Sequence, residues 1–354
     1  MSIRRAKLAR QIPIFRGGGC MKKVKLGELV SIQTGKLDAN AAVVGGKYPF
    51  FTTAKEISWI NDYVYDDEVV LVAGNGDLNV KYYKGKFNAY QRTYILSNNS
   101  NVRMKYLYYF LDKYIEVLRH QSIGGVIKYI KLNNLSNAQV PMMSIPEQEK
   151  IIQNLEKIDY LISKKSQQYT ELSNLVKSRF NEMFGDVILN DKEWKFSKWN
   201  EILTIRNGKN QKNVEDKNGQ FPIYGSGGII GYAKDWIVKK NSVIIGRKGN
   251  INKPILVREN FWNVDTAFGL EPTLDKINSE YLFYFCQLYN FEKLNKAVTI
   301  PSLTKSDLLD ISIPLPPLSL QNEFADFVDQ VDKSQFACEI VIKLWRNSLK
   351  SSII

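Results

Sequence analysis

The sequence has little of what most catalytic and metal-binding sites require. Its 354 residues include one histidine, His120, and three cysteines, Cys20, Cys286 and Cys338. This inventory excludes a histidine-rich metal cage, a CxxC pair and a disulfide framework. A Ser-His-Asp or Cys-His site would depend on His120 alone, and we interpret that residue as a surface or half-buried histidine. No metal site and no catalytic residue is therefore expected.

Long apolar runs and nucleotide-binding motifs are also absent from the sequence. No apolar run approaches the roughly 18 residues of a membrane span, so we expect a soluble protein, and the few thiols are typical of a reducing cytoplasm. There is no GxxxxGK[ST] loop, and residues 225–231 break the dinucleotide-binding spacing, which predicts a turn there instead. No Asn-Pro-Pro-aromatic or Asp-Pro-Pro-Tyr stretch of the amino-methyltransferase kind is present, and no acidic pair stands out as a nuclease or glycosidase dyad.

Positive charge is what the chain has in excess. Lys and Arg number 49 against 36 Asp and Glu, a net charge of +13, which favours a polyanionic partner. Over a third of that excess lies in the basic tail (residues 1–21), whose first twenty residues hold five basic residues and no acid. One interpretation of the tail is a presequence or a basic arm for nucleic acid. The other, which we favour, is that translation starts at Met21.

The rest of the chain is a tandem duplication of a unit of about 173 residues. The segment that begins at Val24 and ends with Gly35-Lys36 recurs from Phe196 to Gly208-Lys209. Further landmarks recur in the same order and, apart from a short drift to 175, at the same offset of 173: Pro49 and Pro222, Gly76 and Gly249, Leu135 and Leu308, Pro141 and Pro314, Gln148 and Gln321, Asp159 and Asp332. Chance would match one Gly-Lys pair but not this ordered series.

Each unit begins with a segment of mixed α and β character, at residues 22–142 and again at 187–315. Short apolar runs at 69–72 and 243–245 end near glycine, as strands do. Helices are expected at 105–118 and 279–288, where Tyr and Phe recur at helical spacing. We interpret this aromatic stripe as core and not as a platform for stacking bases.

Each unit then continues with a long helix, at residues 143–186 and 316–354. Prolines and, in the first copy, an acid mark the helix start, and apolar residues follow at alternating spacings of four and three. This heptad pattern predicts a coiled-coil seam formed by Ile151, Leu155, Ile158, Ile162, Leu172, Val176, Phe324, Val328, Val331, Ile342, Trp345 and Leu349. The first helix, at 1.5 Å per residue, would span about 60 Å, which favours a spacer.

The duplicated junction carries a resemblance to a known family. Residues 313–324, IPLPPLSLQNEF, with Val328 and Val331-Asp332 behind them, resemble the end of a target-recognition domain and the start of its conserved helix in specificity subunits of type I restriction–modification systems. Residues 141–148, with Ile151 and Ile158-Asp159, are the first copy of the same motif. Residues 25–28 and 221–232 resemble the opening segments of such domains. The resemblance covers about 22–354 in the family's order.

This resemblance implies an α+β fold: a tandem duplication of a mixed α/β DNA-recognition domain followed by a long helix, with the two helices pairing as an antiparallel coiled coil. It implies a non-catalytic subunit in which each globular copy reads one half of a split sequence in double-stranded DNA. The helices would fix the gap and dock two methyltransferase (M) subunits, and motor–nuclease (R) subunits would join through the complex. No cofactor is expected on this chain, because S-adenosylmethionine, Mg and ATP belong to the partners.

For DNA contacts the sequence nominates basic or polar residues beside glycine-rich turns or at the return into the long helix. They are Lys36, Lys128, Lys131, Lys209, Arg247, Lys248, Thr304 and Lys305. Most are expected to touch phosphate or to remain solvated. Arg247 is the favoured base reader, because its fork matches guanine O6 and N7.

Two other function classes remain open from the sequence. One is a DNA methyltransferase or nuclease with an unrecognised active site, which the missing motifs argue against. The other is a coiled-coil scaffold without DNA binding, which the basic charge and two large globular copies disfavour. The two copies also differ, since residues 47–53 lack the glycine-rich continuation of residues 221–231, so we expect them to read different bases. The second helix ends about three residues before the counterpart of Phe184, so an incomplete last turn is expected.

Overall fold

The structure, a computed structural model, describes residues 22–351. The basic tail and the last turn of the second long helix lie outside the described residues, so the predictions for them are not addressed. The chain divides into two compact units, unit 1 with residues up to 165 and from 340, and unit 2 with residues 166–339. Each unit contains one globular copy and a part of both long helices.

The first copy is built around one six-stranded sheet in the order β2-β7-β5-β6-β3-β4, beside a two-stranded pair of β1 and β8. A 3₁₀ turn at Ala39–Ala41 follows β2. In chain order the elements are β1 (Lys23–Lys25), α1 (Leu26–Leu29), β2 (Val30–Thr34), β3 (Tyr48–Phe51), β4 (Ser58–Ile60), β5 (Tyr65–Ala73), β6 (Val80–Ala89), β7 (Thr93–Asn98), α2 (Met104–Gln121), α3 (Leu132–Ser136), β8 (Gln139–Pro141) and α4 (Ile145–Phe184).

The second copy repeats this order with its strands divided between a four-stranded sheet, β10-β16-β13-β14, and a three-stranded sheet, β12-β11-β15. The pair β17 and β9 corresponds to β8 and β1, and a 3₁₀ turn covers Phe291–Leu294. The elements are β9 (Phe196–Lys198), α5 (Trp199–Ile202), β10 (Leu203–Asn207), β11 (Phe221–Gly225), β12 (Gly228–Ala233), β13 (Ser242–Gly246), β14 (Ile255–Val257), β15 (Trp262–Asn263), β16 (Ala267–Pro272), α6 (Ser279–Leu288), α7 (Lys305–Leu309), β17 (Ser312–Pro314) and α8 (Leu318–Ser351).

The predicted strands, helices and turn are present. The apolar runs lie inside β5 and β13. Residues 225–228 form the turn between β11 and β12, whereas residues 229–231, which were predicted as part of the turn, belong to β12 because they pair with β11. The aromatic stripe is core, as predicted, because Tyr106 and Phe110 in α2 and Tyr281 and Phe285 in α6 are buried. The two buried tyrosine hydroxyls find matching partners, each donating a 2.6 Å hydrogen bond to the carbonyl of the proline that ends β8 or β17.

The glutamine of the duplicated junction motif is a buried tie in each copy. Gln148 lies fully buried, and its side-chain oxygen accepts from the backbone N–H of Arg103, just before α2, at 2.9 Å. Its amide donates to the carbonyl of Met143 at 3.0 Å. Gln321 repeats both bonds, with Asn278 N–H at 2.9 Å and Pro316 O at 2.8 Å. The start of each long helix is thereby fixed to the aromatic helix of its own copy.

The long helices pair antiparallel within unit 2. Phe180 near the end of α4 meets Phe324 near the start of α8, with ring centroids 5.3 Å apart. About three turns further along α8, the side-chain amide of Gln335 donates a 2.7 Å hydrogen bond to the hydroxyl of Ser173. Gln335 lies after Phe324 in α8, whereas its partner Ser173 lies before Phe180 in α4, so the two helices run in opposite directions. This confirms the predicted antiparallel pairing. Gln335 is a polar residue at a position where the heptad pattern of α8 would place an apolar one.

The predicted seam residues of unit 1 also turn inward. Ile151 and Leu155 belong to the core under α2, and Leu349 of α8 packs against that same core. Ile158 is buried, and Ile162, Ile342 and Trp345 are half-buried. In unit 2 the seam residues Val176, Phe324, Val328 and Val331 join the core of the second copy, with Leu172 packed against it.

Candidate nucleic-acid interface

Loops from distant parts of the first copy meet at one edge of its sheet. The N–H of Gly35, after β2, donates to Thr93 O at 3.1 Å, and the N–H of Gly74, after β5, donates to Arg92 O at 2.8 Å. The amide of Asn79 holds the carbonyl of Thr53, after β3, at 2.8 Å. We call residues 35–37, 52–56, 74–77, 90–93 and 122–131 the first loop edge.

The long loop before α3 is fastened to the turn after β5. Gly76 N–H donates to Lys128 O and Ile130 N–H donates to Gly74 O, each at 2.9 Å. Gly76 has φ of +69°, a left-handed conformation that favours glycine. Lys128 and, one residue beyond Ile130, Lys131 are thereby brought beside a turn that lies about 50 residues away in sequence.

The second copy builds the same arrangement, which we call the second loop edge: residues 208–210, 225–230, 247–250, 263–266 and 295–305. Gly249, with φ of +81°, donates to Pro301 O at 3.0 Å, and Leu303 N–H donates to Arg247 O at 2.9 Å. Lys209 N–H donates to Asn263 O at 2.9 Å. The structure thus collects Lys209, Arg247, Lys248, Thr304 and Lys305 on one edge of unit 2, and Lys36, Lys128 and Lys131 on one edge of unit 1.

The predicted lysines are free to meet an anion. All six are exposed, and none forms an ion pair with a residue in the described part of the chain. Lysines elsewhere are often neutralised by acids, as Lys105 is by Glu156 and Lys333 by Asp329. Thr304 is also exposed, but its hydroxyl caps α7, accepting from Asp307 N–H at 3.2 Å and donating to the Asp307 carboxylate at 2.8 Å.

Arg247 is held differently from the lysines. It is half-buried, its guanidinium lies 5.8 Å from the centroid of the Phe268 ring, and Nη1 donates to Asp265 O at 3.4 Å. No acid between residues 22 and 351 forms an ion pair with it. A guanidinium stacked on an aromatic ring keeps donors free for a base or phosphate while losing side-chain freedom.

Asp77 and Arg92 are charged residues of the first loop edge that were not nominated from the sequence. Asp77 forms ion pairs with Lys55 and Arg119, each at 3.0 Å, and the Lys55 hydrogen bond and charge hold the pKa of Asp77 below its ordinary value. Arg92 is exposed at the turn before β7. At the offset of 173 their counterparts are Asn250 and Asp265. Reading the repeat residue by residue would have found both differences.

Other chemistry is sparse in the described residues. Between residues 22 and 351 no group of three or more His, Cys, Asp or Glu could hold a metal ion. Within the same range no helix is long and apolar enough to cross a membrane.

Sequence comparison places both copies in one family. The family described as "Type I restriction modification DNA specificity domain" matches residues 20–174 and 191–342. The chain belongs to this family. Its two matches coincide with the two copies of the repeat, so each copy is a DNA specificity domain.

Two relatives that match most of the chain are named as specificity subunits. The type I restriction enzyme EcoDI specificity subunit of Escherichia coli is 26% identical over 88% of this chain and 81% of its own length. The MjaVIII specificity subunit of Methanocaldococcus jannaschii is 22% identical over 87% of this chain and 85% of its own length. Both are named as specificity subunits, which together with the family match over both copies confirms the prediction of a non-catalytic specificity subunit.

A solved structure shares the fold. The crystal structure of a type I restriction–modification system S subunit from M. genitalium superposes with a TM-score of 0.66 at 18% identity, covering 96% of this chain and 98% of that one. This confirms the predicted fold of two mixed α/β domains, each followed by a long helix.

Proposed function

We propose that this chain reads a bipartite target in double-stranded DNA, with one globular copy on each half-site. The observation that carries the proposal is that both copies present the same loop edge, and that the six nominated lysines on these edges have no acidic partner among the described residues. Lysines at such positions supply phosphate contacts. Arg247 supplies a base contact in the second half-site.

The long helices are the spacer of this proposal. Their pairing leaves the polar sides exposed, and the duplication offers two quasi-equivalent surfaces, one for each of two methyltransferase subunits. S-adenosylmethionine, Mg and ATP act on the M and R subunits, the latter joining through the complex in the cytoplasm. The division into recognition domains at 22–142 and 187–315 and helices at 143–186 and 316–354 is part of the same proposal.

Methylome sequencing of the host, with and without this gene, tests the proposal. The expected result is one split motif, with two short half-sites and a fixed unread gap, that disappears when the gene is deleted. A continuous motif, or methylation that does not depend on the gene, contradicts it.

The spacer has its own test. Four residues inserted after Lys164 add one helical turn, about 6 Å, which is close to two base pairs at about 3.4 Å each. A four-residue insertion is a stutter, which a coiled coil absorbs by local unwinding. The half-sites should stay the same while the gap lengthens. An unchanged gap with retained methylation excludes a ruler.

A further inference from the structure

Each loop edge carries two aliphatic side chains that are largely exposed to solvent. In the first copy these are Val126 and Ile127, with relative exposures of 104% and 62%. In the second copy they are Val298 and Ile300, at 103% and 60%. We call these pairs the first and second apolar tips. Single exposed aliphatic residues are ordinary, but a valine and an isoleucine exposed in the corresponding loop of two diverged copies, with Ile127 and Ile300 matched at the offset of 173, require an explanation.

The first apolar tip is presented by a closed loop. Ile123 and Tyr129 exchange two backbone hydrogen bonds, at 3.0 and 2.9 Å, below the tip. Gly124, with φ of +113°, makes the bend. A side chain at Gly124 would meet the carbonyl of Ile127 at 2.5 Å, so the bend requires glycine.

The second apolar tip is closed by different chemistry. The side-chain oxygen of Asn295 accepts from Ala297 N–H at 3.0 Å and from Ser302 N–H at 3.1 Å. Two loops with different sequences thus hold aliphatic side chains away from the protein in a fixed position.

The lysines near the two apolar tips indicate the class of molecule that would cover them. Residues 122–131 and 295–305 each contain two lysines and no acid, and in the second loop Lys296 is paired with Asp307 at 2.9 Å. Lys128 directly follows the first tip, and Lys305 lies five residues beyond the second; both are exposed and have no ion pair with a described residue. An exposed apolar pair with an unpaired lysine in the same loop suits a duplex whose phosphates flank an apolar base surface, and it does not suit a protein partner with an apolar face alone.

We propose that the two apolar tips enter a groove of the DNA and rest against bases, one tip in each half-site. This inference rests on the proposed function. Phosphate contacts hold the loop at the groove, and the aliphatic side chains add sequence-dependent contact with base surface or thymine methyl groups. The tips would therefore contribute to specificity and not to the salt-dependent, general affinity.

The test measures binding by the full chain in complex with its methyltransferase, on the duplex that carries the methylated motif and on an unrelated duplex. Changing Val126→Ala together with Ile127→Ala should lower affinity for the target about tenfold. Affinity for the unrelated duplex and the slope of log affinity against log salt should stay unchanged, because no phosphate contact is lost. Val298→Ala with Ile300→Ala should do the same through the other half-site.

Three controls separate the alternatives. Val44→Ala and Leu274→Ala remove exposed aliphatic groups at the opposite ends of the sheets and should change nothing. Lys128→Ala should instead weaken both duplexes and reduce the salt slope by about one. Target affinity within twofold of the unmodified protein, or an equal loss on both duplexes, overturns the inference. A parent complex that does not prefer the target would overturn the proposed function itself.

Discussion

The two copies keep the same internal ties and differ on the loop edges. Both have a buried glutamine at the start of the long helix, a buried tyrosine bonded to the proline before it, and a left-handed glycine beside the long loop. On the loop edges the corresponding positions of the two copies differ in charge: Gly74 and Arg247, Asn75 and Lys248, Asp77 and Asn250, and Arg92 and Asp265. The shared residues build the domain, and the exchanged residues are where the two domains would read different DNA.

One exchange is enforced by packing. A side chain at Gly74 would come within 2.6 Å of the Arg92 carbonyl, so the first copy has no room for a counterpart of Arg247 without moving its backbone. Its exposed arginine lies instead on the neighbouring turn, at Arg92. The two copies therefore place an arginine at different points of the same edge.

The largest effect is expected at the seam, where the copies should respond alike. Ile158 and Val331 occupy the same position of the repeat, and both are buried. Aspartate at either would bury an unpaired charge and cost at least ~3 kcal/mol. Thermal melting should show a comparable, large loss for both, whereas the exposed Lys157→Asp should be tolerated. Equal tolerance of all three would mean that the seam is wrongly placed.

The buried glutamines should also respond alike. Leucine at Gln148 or Gln321 leaves one backbone N–H and one carbonyl without their partner, at about 1–3 kcal/mol for each group that stays buried. Denaturant unfolding should give similar losses for the two variants. Gln153→Leu, at an exposed position of α4, is the matched control with no expected loss. A loss in only one variant would show that the copies are not built by the same tie.

Arg247 should separate the copies. Arg247→Ala is expected to reduce discrimination at one position of one half-site by about 1–3 kcal/mol and to leave the other half-site unaffected. Binding to duplexes with single substitutions through both half-sites measures this. Lys248→Ala should weaken all duplexes about equally. A uniform loss from Arg247→Ala would make this residue a phosphate contact.

The smallest effect is expected at Asp77. Asp77 is charged at neutral pH, since Lys55 lowers its pKa further below an ordinary value that is already acidic, and its single negative charge partly offsets the charges of Lys55 and Arg119. Asp77→Asn places in the first copy the same residue that the second copy has at the corresponding position, Asn250. Affinity for unrelated DNA should rise a few-fold and the salt slope should steepen by about one. The exposed Asp62→Asn, with the same charge change away from the loop edge, should have less effect, and an equal effect would assign the gain to net charge alone.

Much of this architecture was predictable because heptad spacing and an internal repeat are both visible in the order of the residues. Heptad spacing gave the long helices and their seam, and matching residues at one offset gave the duplication. The order of strands was not predictable, because β5 lies between β6 and β7 through pairings that periodicity does not encode. For the same reason the sequence nominated Lys128 and Arg247 separately but did not show which loops each would join.

Roles within the nominated set also depended on the fold. Thr304 looked like a DNA contact, yet its hydroxyl is engaged in capping α7. Gln148 and Gln321 were recognised only as parts of a sequence motif. Their structural role depends on the backbone N–H groups of Arg103 and Asn278, which are more than 40 residues away in sequence and donate to the two side chains. Such partners become visible only when the chain is folded.

The most direct test of the account exchanges one copy and leaves the other. Residues 190–312 are replaced by the corresponding domain of another family member, and the methylome of the resulting strain is sequenced. The account predicts that one half-site changes to that of the donor, while the other half-site and the gap stay as they were. A motif in which both half-sites change, or in which neither changes although methylation persists, would contradict the assignment of one half-site to each copy.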